Sequence, residues 1–381
     1  VEKKMAKVKK EEQPVVKMGN EKRKAVLAAL SKIQEDFGAD VAFYGNDSKT
    51  LDIECIPTGS LGLDAAIGGG IPRGRITEIS GPESSGKTLV ALSTIAQCQK
   101  AGGQAVFVDV EQSISKEWCK KLGVNFDELI VSQPNSGEQA LDVVCKFVET
   151  NAVDIIVLDS VAMLVSQREL DGEFTDQHMA VQARMLTLGL KKLLPVIARS
   201  KVACIFINQQ RTNIGTYGNP IQTPGGKALK YAASVRISTN KESKSEVLVN
   251  GEQVGHTMKT KVIKNKISAP FKEASFGILY NSGINQKSEI AELAVKKGIV
   301  KLEKTSYLYE DNKWVGRAKY EDAIKQSPEL AEKLFEEIKT AVAEKRQDVE
   351  EISGVEEVDG MLVDKSTGEI IDDAKQEGDL E

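Results

Sequence analysis

The chain of 381 residues is 41% hydrophobic and 28% charged, with a formal net charge of −5, the make-up of a soluble globular protein with room for two or three domains. No apolar run nears the ~20 residues of a bilayer span, and the lysine-rich start lacks the apolar stretch of a secretory leader. Five cysteines, Cys55, Cys98, Cys119, Cys145 and Cys204, form no C-x-x-C pair, which argues against a zinc ribbon or disulfide framework and fits a reducing cytoplasm.

Residues 1–19 are lysine-rich, aperiodic and expected to be disordered. A helix follows, capped by Asn20, with Val26, Leu27, Leu30, Ile33 and Phe37 on one stripe. Residues 38–56 read as a linker. From 57 to 285 short apolar runs alternate with helical patterns, the rhythm of an α/β fold with a mainly parallel sheet. The expected strands are Ile76–Ser80, Ala105–Val110, Asp154–Asp159 and Val202–Asn208. Several are apolar throughout, as strands covered on both faces are. Helices are expected at 87–100, 137–150 and 177–199. The later runs Ser234–Ser238, Lys259–Lys264 and Phe276–Tyr280 have no long helices between them, so the sheet should finish antiparallel. Residues 286–347 read as a small separate α+β domain: a helix at 288–297, a hairpin turning at Asp311-Asn312, and a helix opened by Ser327-Pro328.

Charge divides the chain. Asp348 to Glu381 holds 13 acidic and 2 basic residues, net −11, while the remainder carries 49 basic and 43 acidic groups, net +6. This acidic, disordered tail either aids solubility or competes with a polyanion for the basic body.

The chemistry centres on Gly81-Pro82-Glu83-Ser84-Ser85-Gly86-Lys87-Thr88, a full match to G-x-x-x-x-G-K-[ST] between a strand and a helix. Glycines let backbone N–H groups turn around phosphate oxygens. Lys87 reaches the β- and γ-phosphates, the Thr88 hydroxyl ligates Mg²⁺, and the helix N-terminus adds its positive dipole end. Asp159 ends the run Ile155–Leu158 where sheets of this kind bind ligands, which suits a grip on Mg²⁺; its plainer role is to cap the next turn. Glu111 follows another strand and could orient a water for attack. Asp109 lies on the same side of that strand, so pattern alone leaves both open, although Glu111 lies further into the loop. Asn208-Gln209-Gln210-Arg211 could sense a γ-phosphate or cap a loop.

These motifs in this order resemble the bacterial RecA recombinases, over residues 20 to 345. The stretches that carry the likeness are Gly81–Thr88, Leu122–Leu141, Val153–Ser160, Ile205–Gln209, Gly225–Arg236 and Lys264–Phe271. The resemblance implies a RecA-type ATPase core that forms a helical filament on single-stranded DNA, with ATP and Mg²⁺ between protomers, and pairs it with homologous duplex DNA. It implies no membrane partner; family members also assist a self-cleaving repressor. It implies that Glu111 activates water, that Gln209 couples the γ-phosphate to DNA, and that Lys264 and Lys266 reach a neighbour's ATP as an arginine finger does. Trp118 and Tyr280 fall where the family places aromatics near the adenine. The family's DNA-binding loops match Glu169–His178 with Met179, including Gly172, and Gln210–Thr223, with Arg211, Asn213, Gly215 and Tyr217. Arg184, Lys191, Gly225 and Gly226 match further DNA contacts. The chain departs from the family at the second loop, one residue shorter, and at Gln112, Ser115 and Trp118.

Overall fold

The computed structural model describes residues 20–39, 41–44, 53–172, 181–212, 221–249, 252–352, 355–358 and 361–364. Two compact units divide the chain, Val1–Asp52 and Ile53–Glu381. In the first, α1 spans Asn20–Phe37, and Val26, Leu27 and Phe37 of its apolar stripe are exposed.

The second unit is built on a sheet that has nine strands among the described residues. In chain order these are β1 (Ile76–Gly81), β2 (Ala105–Asp109), β3 (Ile130–Ser132), β4 (Ile155–Asp159), β5 (Ala203–Gln209), β6 (Val235–Val249), β7 (Glu252–Asn265), β8 (Glu273–Leu279) and β9 (Gly283–Ile284). Their spatial order is β9-β8-β7-β6-β1-β5-β4-β2-β3. Pairs from β6 through β1 to β3 are parallel, and β6 to β9 are antiparallel. The expected antiparallel finish is present, but β6 and β7 run well past the apolar runs that announced them.

Helices cover both faces, and this is why β2, β4 and β5 are apolar on both faces up to their carboxyl ends. Among the described residues, the helices of five or more residues in this unit are α2 (Leu61–Ile67), α3 (Lys87–Lys100), α4 (Lys116–Lys121), α5 (Gly137–Thr150), α6 (Val181–Arg199), α7 (Ala228–Ala232), α8 (Gln286–Lys296), α9 (Arg317–Gln326) and α10 (Pro328–Ile352). On one face Ile79, Phe107, Ile155, Val157, Ile205 and Ile207 pack with α2 and α3. On the other, Val106, Val108, Ile156, Leu158 and Phe206 pack with α5 and α6. Each such side chain contributes about 1.5–3 kcal/mol on burial. The same alternation decides where strand-end side chains emerge.

Residues 286–347 hold a third apolar cluster, around Ile290, Tyr309, Tyr320, Ile324 and Leu334, beside a three-stranded sheet, Lys301–Glu303, Ser306–Tyr309 and Asn312–Val315. This segment, expected as a small α+β domain, carries its own apolar cluster and falls in the same compact unit as the core. The reason is physical: Leu61 packs on the third cluster. The buried Glu289 carboxylate of α8 also accepts hydrogen bonds from Ser60 Oγ at 2.6 Å, Gly62 N at 2.9 Å and Leu61 N at 3.2 Å, at the start of α2. The hairpin turns at Glu310-Asp311, because Tyr309 pairs with Asn312, one residue before the expected turn. Past residue 348, α10 continues to Ile352 and an antiparallel pair joins Val355–Val358 to Met361–Asp364, so secondary structure extends into the segment expected as a disordered tail. The first 19 residues and residues 365–381 lie outside the described residues. No described helix is long and apolar enough to cross a membrane.

Candidate functional site

The phosphate loop follows β1 at the carboxyl end of the parallel strands. Gly86 caps α3 with φ of 85°, and a Cβ there would come within 2.9 Å of Met258 Sδ, so glycine is required both by conformation and by space. Ser85 Oγ meets Thr239 Oγ1 at 2.8 Å, tying the loop to β6. Pro82, Glu83 and Ser84 are exposed on the rim. Lys87 Nζ donates to the Pro82 carbonyl at 2.6 Å, folded back over its own loop. Burial lowers the Lys87 pKa, opposed by the Asp159 and Glu111 carboxylates.

Residues 105, 107 and 109 of β2, 155, 157 and 159 of β4, and 203, 205, 207 and 209 of β5 alternate onto the face of α3. Asp109, Asp159 and Gln209 are therefore presented on the side of the phosphate loop. Thr88 Oγ1 donates to Asp159 Oδ2 at 2.6 Å. Burial pushes the Asp159 carboxyl up to about 6, against the opposing Thr88 hydrogen bond. A buried carboxylate beside a hydroxyl is a donor set that fits a hard, oxygen-seeking divalent cation such as Mg²⁺.

The two acids near the end of β2 separate by partner. Asp109 is fully buried and accepts from Ser113 N at 3.1 Å, Ile114 N at 3.3 Å and Gln133 Nε2 at 3.0 Å. It holds the following loop in place. Glu111 instead accepts from Ser160 Oγ at 2.5 Å and from Gln209 Nε2 at 3.3 Å. Three neighbouring strand ends thus converge on one carboxylate. Gln209 leads within two residues to the pairing of Arg211 with Gln222, at the base of the second loop.

Trp118 packs on the apolar layer under α3, and its backbone N–H is capped by Ser115 Oγ. Tyr280 is exposed, and its hydroxyl accepts from Gln253 Nε2 at 2.9 Å. Lys264 donates to the carbonyls of Lys230 and Tyr231 at 2.8 and 3.1 Å, at the end of α7. Burial lowers its pKa, and Lys266 and Arg236 lower it further. Lys266 lines a cavity with Tyr231, Leu194 and Gly74. The Lys264 ammonium is thus engaged by α7 and not by the phosphate loop of its own chain.

Among the expected DNA contacts, Arg184 and Lys191 are exposed on one face of α6, two turns apart, with the exposed Leu188 between them. Glu169 closes a capping box: Ser166 N donates to its Oε2 at 2.8 Å. Its carboxylate thus organises the turn before the first loop. Gly172 ends the described part of that loop. Gly225 and Gly226 have φ of 84° and 74°, and a Cβ on Gly225 would lie 2.7 Å from Leu186 Cδ2, so Gly225 lets the chain pass close to α6. Arg211 is described by its backbone pairing alone, and Met179, Asn213, Gly215 and Tyr217 lie outside the described residues.

Sequence reasoning missed a buried network behind this site. Glu78, fully buried on β1, forms an ion pair with Arg236 of β6 and accepts from Asn208 Nδ2 at 3.1 Å. Asn208 also donates to the Pro224 carbonyl at 3.2 Å, across the second loop. The available signal was an acid flanked by Ile76 and Ile79 inside an expected buried strand, where a charge needs a partner.

A profile of the RecA N-terminal domain matches residues 24–285. The chain is 44% identical to the protein named RecA of Ruminococcus albus over 348 residues, covering 89% of this chain and 87% of that one. It is 44% identical to RecA of Thermus aquaticus over 343 residues, 89% and 99% of the two chains. With RecA of Legionella pneumophila strain Corby the identity is 44% over 338 residues, 87% and 96%.

Proposed function

Because this chain belongs to the RecA family of DNA recombinases, we propose that it hydrolyses ATP at Gly81–Thr88 and uses that turnover to recycle a filament on single-stranded DNA. The chain is a DNA recombinase and a DNA-dependent ATPase of recombinational repair. The observation that carries the finer reading is the convergence of Ser160 and Gln209 on Glu111 beside the phosphate loop.

Glu111 is the group placed to take the proton of an attacking water. Ser160 and Gln209 fix its carboxylate, so orientation is set before the substrate arrives. Lys87, released from the Pro82 carbonyl, would meet the terminal phosphate, and its buried ammonium acts strongly there. Thr88 and Asp159 would hold Mg²⁺, which supplies charge neutralisation on the phosphate oxygens. A γ-phosphate that pulls Gln209 from Glu111 would shift Gln210 and Arg211, and through them the second DNA loop. Lys264 and Lys266 would serve a neighbouring protomer's ATP, and the Lys264 ammonium is held by the Lys230 and Tyr231 carbonyls rather than by its own phosphate loop. The exposed stripe of α1 and the exposed Arg184–Lys191 face of α6 suit protomer packing and polyanion contact.

A joint-molecule assay tests this reading. The protein should pair a single strand with a homologous duplex and not with a heterologous one, when given ATP and Mg²⁺. Equal yields with both duplexes would contradict it. Binding to the single strand should weaken with salt at about −0.7 log units per neutralised phosphate.

A further inference from the structure

The phosphate loop and Glu111 leave a different group unexplained. His256, on β7, is 7% exposed, and neither ring nitrogen has a hydrogen-bond partner among the described residues. It is the one ionisable side chain in that condition there. A neutral imidazole carries one donor and one acceptor, and buried polar groups are nearly always paired.

Its position gives the orphaned ring a use. His256 and Met258 share one face of β7, about 7 Å apart along the strand. Met258 and Ile278, the cross-strand neighbour of His256, form the floor beneath Gly86: a Cβ there would meet Met258 Sδ at 2.9 Å and Ile278 Cδ1 at 3.1 Å. Tyr280 stands one pleat further out, its ring centroid 5.7 Å from that of His256. The imidazole is therefore set between the floor of the phosphate loop and an exposed aromatic. Burial, and then the nearby Lys241 ammonium, lower the His256 pKa, so the ring is neutral at neutral pH. A neutral ring suits the donor and acceptor edge of a base better than the anionic phosphates.

We propose that His256 is a specificity-determining residue that hydrogen-bonds the purine base of the nucleotide whose phosphates lie in Gly81–Thr88. This rests on the nucleotide-site reading above and names the residue that reads the base.

The test uses the full chain and three probes, a non-hydrolysable ATP analogue, its GTP counterpart and inorganic tripolyphosphate, which has no base. His256→Leu should melt no lower than wild type without ligand, because a buried unpaired group is removed. It should bind tripolyphosphate as wild type does, bind the ATP analogue about tenfold more weakly, the worth of roughly one hydrogen bond, and lose a similar factor in preference over the GTP analogue. His256→Gln, which keeps a donor and an acceptor, should retain most of the affinity. Unchanged affinity for the ATP analogue in His256→Leu, an equal loss for tripolyphosphate, or a lower melting temperature in both variants would overturn the proposal. A wild-type chain that binds none of the three probes, or a Lys87→Ala variant that binds all of them as well as wild type, would instead sink the nucleotide-site reading.

Discussion

Asp109 and Glu111 stand two residues apart near the end of one strand, and their partners predict opposite consequences for the two amides. Glu111→Gln preserves size and keeps an oxygen to accept from Ser160 and Gln209, but it removes the base. Positioned general bases contribute about 10²–10⁴ in rate, or roughly 2.7–5.4 kcal/mol of barrier. The variant should fold, bind nucleotide and bind single-stranded DNA normally, while turnover falls by that factor. Asp109→Asn should do the reverse. Its carboxylate collects two backbone N–H groups and the Gln133 amide with no exposure to water. The new Nδ2 would face these donors with a donor. Hydrogen bonds to a charged group are worth ~1.5–3 kcal/mol each, so losing one to two costs about 3 kcal/mol. At ~2–4 °C per kcal/mol for a domain of this class, the melting temperature should fall by about 6–12 °C. Turnover per folded molecule should remain within a few-fold of wild type. The assay is steady-state ATP turnover with saturating single-stranded DNA, alongside thermal denaturation. Turnover lost in Asp109→Asn and kept in Glu111→Gln would refute the assignment.

Three further outcomes are expected. Arg236→Ala leaves Glu78 charged and uncompensated in the sheet, a loss of about 3–5 kcal/mol, whereas the double variant Glu78→Leu/Arg236→Met should recover most of it; urea denaturation of both checks this. Burial pushes the Glu289 carboxyl up to about 7, its hydrogen bonds from Ser60, Gly62 and Leu61 opposing. The folded state then holds this proton more tightly than the unfolded chain, so its contribution is full below about 4.5 and is lost as pH rises through about 7. Thermal denaturation from pH 4.5 to 8 should show that decline, and it should be shallower in Glu289→Gln. Lys264→Ala should leave nucleotide binding intact but reduce DNA-stimulated turnover by ~10³ or more, as loss of a trans-acting cation does; turnover within tenfold of wild type would remove Lys264 from that role.

What could be read in the chain was what lies next to itself in the chain. The phosphate loop is contiguous, and β1, β2, β4 and β5 announce themselves as apolar runs because helices cover both faces. The far part of the β6–β7 ribbon did not, since polar residues such as Lys241, Glu246 and Gln253 continue its pairing past the expected runs and hide the strand period. The α9 helix was overlooked because it buries only Tyr320 and Ile324. Side-chain partnerships across the sheet needed the strand order. Glu78 and Arg236 are 158 residues apart in sequence yet directly opposite in register. The choice between Asp109 and Glu111 turned on Ser160 and Gln209, which no spacing rule connects to either acid. His256 lies outside every expected strand run and motif, and the absence of partners around its ring shows only in the fold. The capping box that Glu169 closes was likewise not read from the chain.

Nucleotide turnover and polynucleotide grip should be one coupled process across protomers, and ATP hydrolysis measured while single-stranded DNA and protein concentration are varied together reads that coupling. Hydrolysis should be slow without DNA, be strongly stimulated by single strands, and rise cooperatively per protomer with protein concentration. A rate per protomer that is indifferent to DNA and constant on dilution would contradict it.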